Sequence, residues 1–267
     1  MKHILLLLLT SPIALAQSYK TEPVTALLGA FGEEVKLVQQ SVQNPKTRTI
    51  NGISFTTGMI GKQRVVVAET GIGKVNAAMT TAFVLAHFRP QRVIFTGIAG
   101  GVNPDLQPGD IVIAQQTGYH DYRSVTFSQQ PTSQTLDPIS KRMNPAYFRA
   151  DSLLLLKALS ASKKADFEAI PTTSRPPSVI TGTVVTGDEF VNSEARVNQL
   201  RTDHNADATE MEGAAVAQVC YQQGIPCLVI RSLSDKANGN ARQDMLTFYK
   251  IAARNSAKLV LAIVGEN

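Results

Sequence analysis

Short apolar runs in this chain end repeatedly on glycine or a carboxylate and give way to helical patterning. This alternation restricts the fold more than any other feature. Residues 24–29 precede a helical pattern over 32–37, and residues 92–96 end in Gly97-Ile98-Ala99-Gly100-Gly101. Residues 227–231 run on to Ser234-Asp235, and Ala208-Thr209-Glu210-Met211-Glu212 opens a helical stretch over 212–223. Residues 53–58 and 64–69 read as strands about a turn at Gly61-Lys62, and Val184-Val185 as a strand before Gly187-Asp188. A helix over 73–87 carries Val75, Ala78, Ala82 and Leu85 on one face, and a long terminal helix is expected over 243–264. Strands alternating with helices imply an α/β sandwich. Open sheets of this kind bind ligands at the carboxyl ends of their strands. Acids at two such ends suit the binding of sugar hydroxyls and the supply of a proton.

The amino terminus reads separately. A short basic start, Met1-Lys2-His3, precedes an aliphatic run over 4–9, a break at Thr10-Ser11-Pro12, and Ala14-Leu15-Ala16. This is the pattern of a secretory signal peptide over 1–16, cut before Gln17. Residues 17–267 then form a single domain. The Gln-, Ser-, Thr- and Pro-rich stretch over 128–180 reads as a surface insertion with one helix at 152–161. The protein is expected to be exported, with no membrane association after signal removal.

Several functions lack their signatures. The net charge of +5 is dispersed without a basic run or a basic-aromatic stripe, so nucleic-acid binding is not indicated. Gly71-Ile72-Gly73-Lys74-Val75 has no third glycine for a dinucleotide fingerprint. It has Val75 and Ala68 where a phosphate loop needs a hydroxyl and a glycine. No Gly-x-Ser-x-Gly elbow occurs. The four histidines are scattered, and Cys220 and Cys227 have no metal-ligand company, so no metal or cofactor is expected. An oxidising compartment permits a Cys220–Cys227 disulfide, but a helix-to-strand placement argues against closure.

Seven segments, taken in order, carry a resemblance: 29–35, Thr70-Gly71-Ile72-Gly73-Lys74-Val75-Asn76-Ala77-Ala78, 96–101, Pro108-Gly109-Asp110-Ile111-Val112, Gly187-Asp188-Glu189-Phe190, Glu210-Met211-Glu212 and Ser234-Asp235. Together they resemble the nucleoside phosphorylase/nucleosidase superfamily, most closely its 5'-methylthioadenosine/S-adenosylhomocysteine nucleosidases. The resemblance implies a three-layer α/β/α sandwich with a central mixed, partly barrel-like twisted sheet. It implies cleavage of the N-glycosidic bond of a purine nucleoside through an oxocarbenium-like transition state. Asp235 matches the general acid that protonates purine N7, and Glu34 matches the residue that activates water. Glu212 matches the carboxylate that grips the ribose hydroxyls. Met211 packs against the sugar or the core, and Glu210 either supports the site or is a first-turn helix acid. Arg231 is expected to position Glu34, the water or Glu212, with Ser234 beside Asp235. Ala99 and Gly100 offer backbone near sugar and base, and Phe190 and Val191 match the base-stacking segment. Ile72 belongs to the substrate wall, and Phe31 stands where the family often has methionine. Ile98 replaces a small polar residue. The family forms dimers, with the 5'-pocket borrowing residues from the neighbouring subunit, here expected around Tyr119-His120-Asp121 and Phe127.

Glu33 and Glu34 put two acids and no arginine in the first loop, and Ile94-Phe95-Thr96 carries none either. Such a loop repels a phosphate dianion and suits water, so hydrolysis is expected over phosphorolysis. A phosphate-dependent phosphorylase and a non-catalytic purine-nucleoside binding protein are the alternatives. Methylthioadenosine, S-adenosylhomocysteine, 5'-deoxyadenosine, adenosine and inosine all remain open as substrates.

Overall fold

The structure is a computed structural model that describes residues 23–265 except Arg123, Phe127, Ser128 and Ser133. The leader expected over 1–16 lies outside the described residues. The first half runs β1 (Val24–Gly29), α1 (Gly32–Gln40), β2 (Gln43–Ile50), β3 (Ile53–Ile60), β4 (Gln63–Glu69), α2 (Lys74–Phe88), β5 (Arg92–Gly101) and β6 (Ile111–Tyr119). Then come β7 (Ser124–Thr126), β8 (Gln129–Thr132), β9 (Tyr147–Arg149), α3 (Ser152–Ser162), β10 (Val179–Thr186) and α4 (Glu194–His204). The chain ends with β11 (Ala208–Glu210), α5 (Gly213–Gln222), β12 (Cys227–Asp235) and α6 (Ala241–Gly265).

Ten strands make one mixed sheet, and β7 and β8 form a separate pair. β1 lies parallel between β4 and β5, buried on both faces, which is why its sequence is apolar throughout. The two-residue period divides these strands between two cores. Ala26, Leu28, Val66, Ala68, Val93 and Phe95 pack on one side, which α2 and α5 cover. Leu27, Val65, Val67 and Ile94 pack on the other, beneath α1, α3 and α6. The expected three-layer sandwich is therefore present. Its sheet is partly barrel-like, because β5, β12, β6, β10 and β11 close into a ring. The far end of β5 pairs antiparallel with β11, Gly100 opposite Thr209 and Gly101 opposite Ala208.

Two features of this ring position the site. The β12–β5 register shifts between Leu233 and Asp235, so Ser234 is an extra residue in the strand. A bulge of this type re-aims the side chains that follow it. The second feature is Gly100. A Cβ there would lie 3.0 Å from Asp235 Oδ1 and 2.8 Å from the Ala237 Cβ. Glycine lets β5 pass directly beneath the Asp235 turn.

The stretch read as a surface insertion is only partly one. Its second half joins the body: β9 pairs with β6, and Leu154, Ala158 and Ala161 of α3 are buried against the α6 side. Arg175 forks onto buried Asp110 at 2.7 Å on both nitrogens, and Ser178 adds two bonds to the same carboxylate. Polar composition concealed this because much of the attachment is ionic. The sequence pattern discloses neither β2 nor α4, nor the short strands β7, β8 and β9. β2 is an edge strand with nearly every residue exposed, and α4 buries only Leu200.

Candidate active site

The carboxyl ends of β1, β5, β11 and β12 surround a cavity of about 340 Å³. Phe31, Glu34, Ile72, Ala99, Gly100, Phe190, Val191, Glu210, Met211, Glu212, Ser234 and Asp235 all line it, as the sequence reading expects. Arg231 does not. It is fully buried behind the wall and acts on the site only through other side chains. The sequence reading passed over Glu189, Thr209, Met245, Leu246 and Tyr249, which complete the wall. Met245, Leu246 and Tyr249 stand in the first turns of α6, where helical periodicity signals core packing only. The tilted contact of Tyr249 with Phe31, 6.3 Å between ring centroids, joins that helix to the β1–α1 loop.

Glu34 stands in the first turn of α1, where an acid complements the helix dipole. Its side chain turns back over the helix start and bridges two elements. One carboxylate oxygen accepts the Ala30 N–H at 2.6 Å, and the other accepts the Ile98 N–H at 2.8 Å. Gly97 makes room for this. A Cβ there would fall 2.4 Å from Glu34 Oε1 and 2.7 Å from Arg231 Nη1. Burial pushes the Glu34 carboxyl up to about 6, against the opposing pull of the Arg231 charge and the amides.

Glu210 belongs to the frame more than to the cavity. Its carboxylate accepts Arg231 Nη2, the Thr186 hydroxyl and the N–H groups of Glu212 and Gly213 at the start of α5. The role the sequence left open is thus the supporting one. Arg231 lies 4.2 Å from the Phe95 ring centroid and 3.8 Å from Glu212, so one cation stands between three acids. Removing one partner of a buried pair strands the other charge. Glu210→Gln is expected to lower stability by about 3 kcal/mol. Thermal unfolding without substrate should then show a Tm loss of roughly 6–12 °C.

Glu212 stands at the N-cap position of α5 without a side-chain bond to that helix, and accepts the Gly73 N–H at 2.8 Å, where α2 begins. The glycine loop that resembles a phosphate cradle therefore holds carboxylates, since the Lys74 N–H likewise donates to Asp188 at 2.8 Å. Burial first, and the Glu210 charge second, hold the Glu212 carboxyl above the usual carboxylate range. Asp235 accepts the Ser234 hydroxyl at 2.7 Å on one oxygen and the Ala237 N–H at 2.7 Å on the other. Burial nevertheless pushes it up to about 6. The cavity thus pairs an aromatic and aliphatic wall, Phe190 and Val191, with carboxyl groups poised to exchange protons in the physiological range.

Two of the residues expected to reach a neighbouring subunit lie inside the chain. Tyr119 and His120 are buried within their own chain. Asp121 is held by Lys74 at 2.5 Å. Phe127 lies outside the described residues. Exposed apolar surface near the cavity includes α2 and the loop before it, with Ile72, Val75 and Met79, as well as Phe190 and Leu246 of the cavity wall.

Comparison with known proteins agrees with this geometry. The profile of the phosphorylase superfamily matches residues 24–265. The 5'-methylthioadenosine/S-adenosylhomocysteine nucleosidase of Halalkalibacterium halodurans is 36% identical over 241 residues, 90% of this chain and 97% of that protein. The crystal structure of the Neisseria meningitidis nucleosidase of the same name, in complex with methylthio-immucillin-A, superposes with a TM-score of 0.81. It is 35% identical and covers 91% of this chain and 99% of its own. The futalosine hydrolase of Helicobacter pylori superposes with a TM-score of 0.79 at 29% identity, covering 92% of this chain and 98% of its own. With the superfamily profile spanning nearly every described residue and a nucleosidase matched over almost its full length, the chain belongs to the phosphorylase superfamily, alongside its 5'-methylthioadenosine/S-adenosylhomocysteine nucleosidases.

Proposed function

We infer that this protein is an N-glycosyl hydrolase that releases adenine from 5'-substituted adenosines, with methylthioadenosine and S-adenosylhomocysteine as substrates. One observation carries hydrolysis over phosphorolysis. Among the described residues lining the cavity there are five acids, Glu34, Glu189, Glu210, Glu212 and Asp235, and no lysine, arginine or histidine. A phosphate dianion finds no counter-charge there, whereas water needs only a base. Asp235 donates its proton to purine N7, so the base leaves neutral. Glu34 orients water and takes its proton as the new C–O bond forms. Glu212 accepts hydrogen bonds from the ribose hydroxyls, and Phe190 lies over the base. The test is adenine release from methylthioadenosine, with and without phosphate. Equal release in both buffers is expected. Release only with phosphate would make the protein a phosphorylase, and binding without release would make it a nucleoside-binding protein.

The working form is proposed to be a homodimer that uses the α2 face. Val75 is 77% exposed, and Ile72 belongs both to this face and to the cavity wall, so a second copy docked here would help close the substrate mouth. Val75→Glu is expected to halve the mass in multi-angle light scattering and raise KM about tenfold with a smaller change in kcat. A wild-type monomer would remove this part of the proposal. Export follows from the leader pattern, and a mature chain beginning at Gln17 in the cell-free or periplasmic fraction is the expected result.

A further inference from the structure

Residues 187–193, between β10 and α4, form no helix or strand, yet they carry Glu189, Phe190 and Val191 of the cavity wall. Apolar packing fixes only one end of this segment. Val191 is buried in a small cluster with Leu200 of α4, whereas Phe190 is 47% exposed. The other anchor is ionic. Arg196, in the first turn of α4, donates through Nε and Nη2 to the Glu189 carboxylate at 3.0–3.2 Å and engages both its oxygens. The same Nη2 meets Nδ1 of buried His120, which follows β6, at 2.9 Å. A guanidinium only donates, so Nδ1 accepts and the His120 proton sits on Nε2, 3.5 Å from the Thr209 hydroxyl of the cavity wall. Burial first, and the Arg196 charge second, hold the imidazole down to about 4, so it stays neutral and keeps that lone pair for Arg196. Gly187 passes directly over the same ring, leaving no room for a Cβ.

We propose that Arg196 is a positioning residue for the purine: by gripping Glu189 and His120 together, it holds Phe190 and Val191 ready to receive the ring. The inference rests on the nucleosidase reading for the identity of that ring. Arg196 does not itself line the cavity, so it acts only through the segment it fastens. Arginine suits the task because its planar fork spans a carboxylate and keeps an N–H for the imidazole. A lysine ammonium is a single point of charge and cannot do both. Nη1 is spent on Gln199 at 2.8 Å, which fixes the fork on its own helix. The preceding residue, Asp188, is fastened independently. Its carboxylate accepts the Lys74 N–H at 2.8 Å, and its own N–H donates to Asp121 at 2.8 Å. Loss of Arg196 therefore frees the stretch from Glu189 to Val191 and not the whole loop. Glu34 and Asp235 keep their anchors on Ala30, Ile98, Ser234 and Ala237. A freed segment must be ordered by the ligand as it binds, so affinity for the base falls while the chemical step is spared.

The test compares Arg196→Gln and Arg196→Lys with wild type. KM for methylthioadenosine is expected to rise about tenfold in Arg196→Gln and about threefold in Arg196→Lys, which restores one of the two contacts, with kcat within about twofold in both. The Kd of adenine, measured by calorimetry without turnover, is expected to rise by the same factors. Tm is expected to fall by no more than about 3 °C, because a partly exposed ion pair carries little stability. A fall in kcat as large as the rise in KM, a Tm loss above about 6 °C, or an adenine Kd unchanged from wild type would each overturn Arg196 as a positioning residue. Wild type that neither binds adenine nor releases it from methylthioadenosine would instead overturn the nucleosidase reading, and the inference with it.

Discussion

Asp235→Asn is expected to lower kcat by 10²–10⁴-fold, about the range that general acid catalysis supplies, while leaving KM within a few-fold. The substitution is nearly isosteric. The Ala237 N–H keeps its acceptor, and the Ser234 hydroxyl rotates to accept from the new amide in place of donating. What is lost is the proton for N7. The same variant should be more stable than wild type above pH 6. Burial raises Asp235 from 3.8 in the unfolded chain to about 6 in the folded one. The folded state therefore holds that proton more tightly. This contribution to stability is complete below pH 3.8 and is lost as pH rises through about 6. At pH 8 wild type carries a buried charge at a cost of about 3 kcal/mol, which asparagine lacks. A Tm gain of several degrees at pH 8 that vanishes at pH 3.5, together with the loss of turnover, is the expected signature. Turnover within tenfold of wild type would remove Asp235 from the role of acid.

That trade between stability and chemistry also explains what the sequence discloses. Glu210-Met211-Glu212 and Ser234-Asp235 are legible because carboxylates at the ends of apolar strands contradict core logic and so point to a site. The β1, β5 and β12 strands are legible for a related reason, since buried parallel strands read as continuous apolar runs. β2 is not, because an exposed edge strand containing Pro45 is specified by its partner β3 and by no pattern of its own. Nor is the placement of Arg231, which the spacing to Asp235 puts near the site but which only the fold puts behind it. The bulge at Ser234 decides that Asp235 faces the cavity, and a register shift leaves no mark in a single sequence. Tyr249 and Leu246 escape for the opposite reason: a helical stripe looks the same whether it meets a core or a ligand.

Glu34→Gln is expected to lose as much turnover as Asp235→Asn, by a different route. Both Glu34 oxygens accept backbone N–H groups, from Ala30 and Ile98. Glutamine accepts on one side only and sets its NH₂ against a donor on the other, so charge and anchorage are lost together. Gly97→Ala separates the two effects. It keeps the carboxylate but places a methyl 2.4 Å from Glu34 Oε1, which must move. A loss of 10²-fold or more in Gly97→Ala would follow from displaced water alone, given how steeply rate depends on alignment. The pH dependence then assigns the roles. Glu34 must be ionised to take a proton, so kcat/KM rises as pH passes upward through about 6. Asp235 must be protonated to give one, so kcat/KM falls as pH passes through about 6 in the same direction. Wild type is expected to show a narrow bell near pH 6. Residual activity of Glu34→Gln should lack the acidic limb, and that of Asp235→Asn the alkaline limb. If each variant instead retained the limb predicted to vanish, the acid and base assignments would have to be exchanged. In that case Glu34 would protonate the base and Asp235 would activate the water.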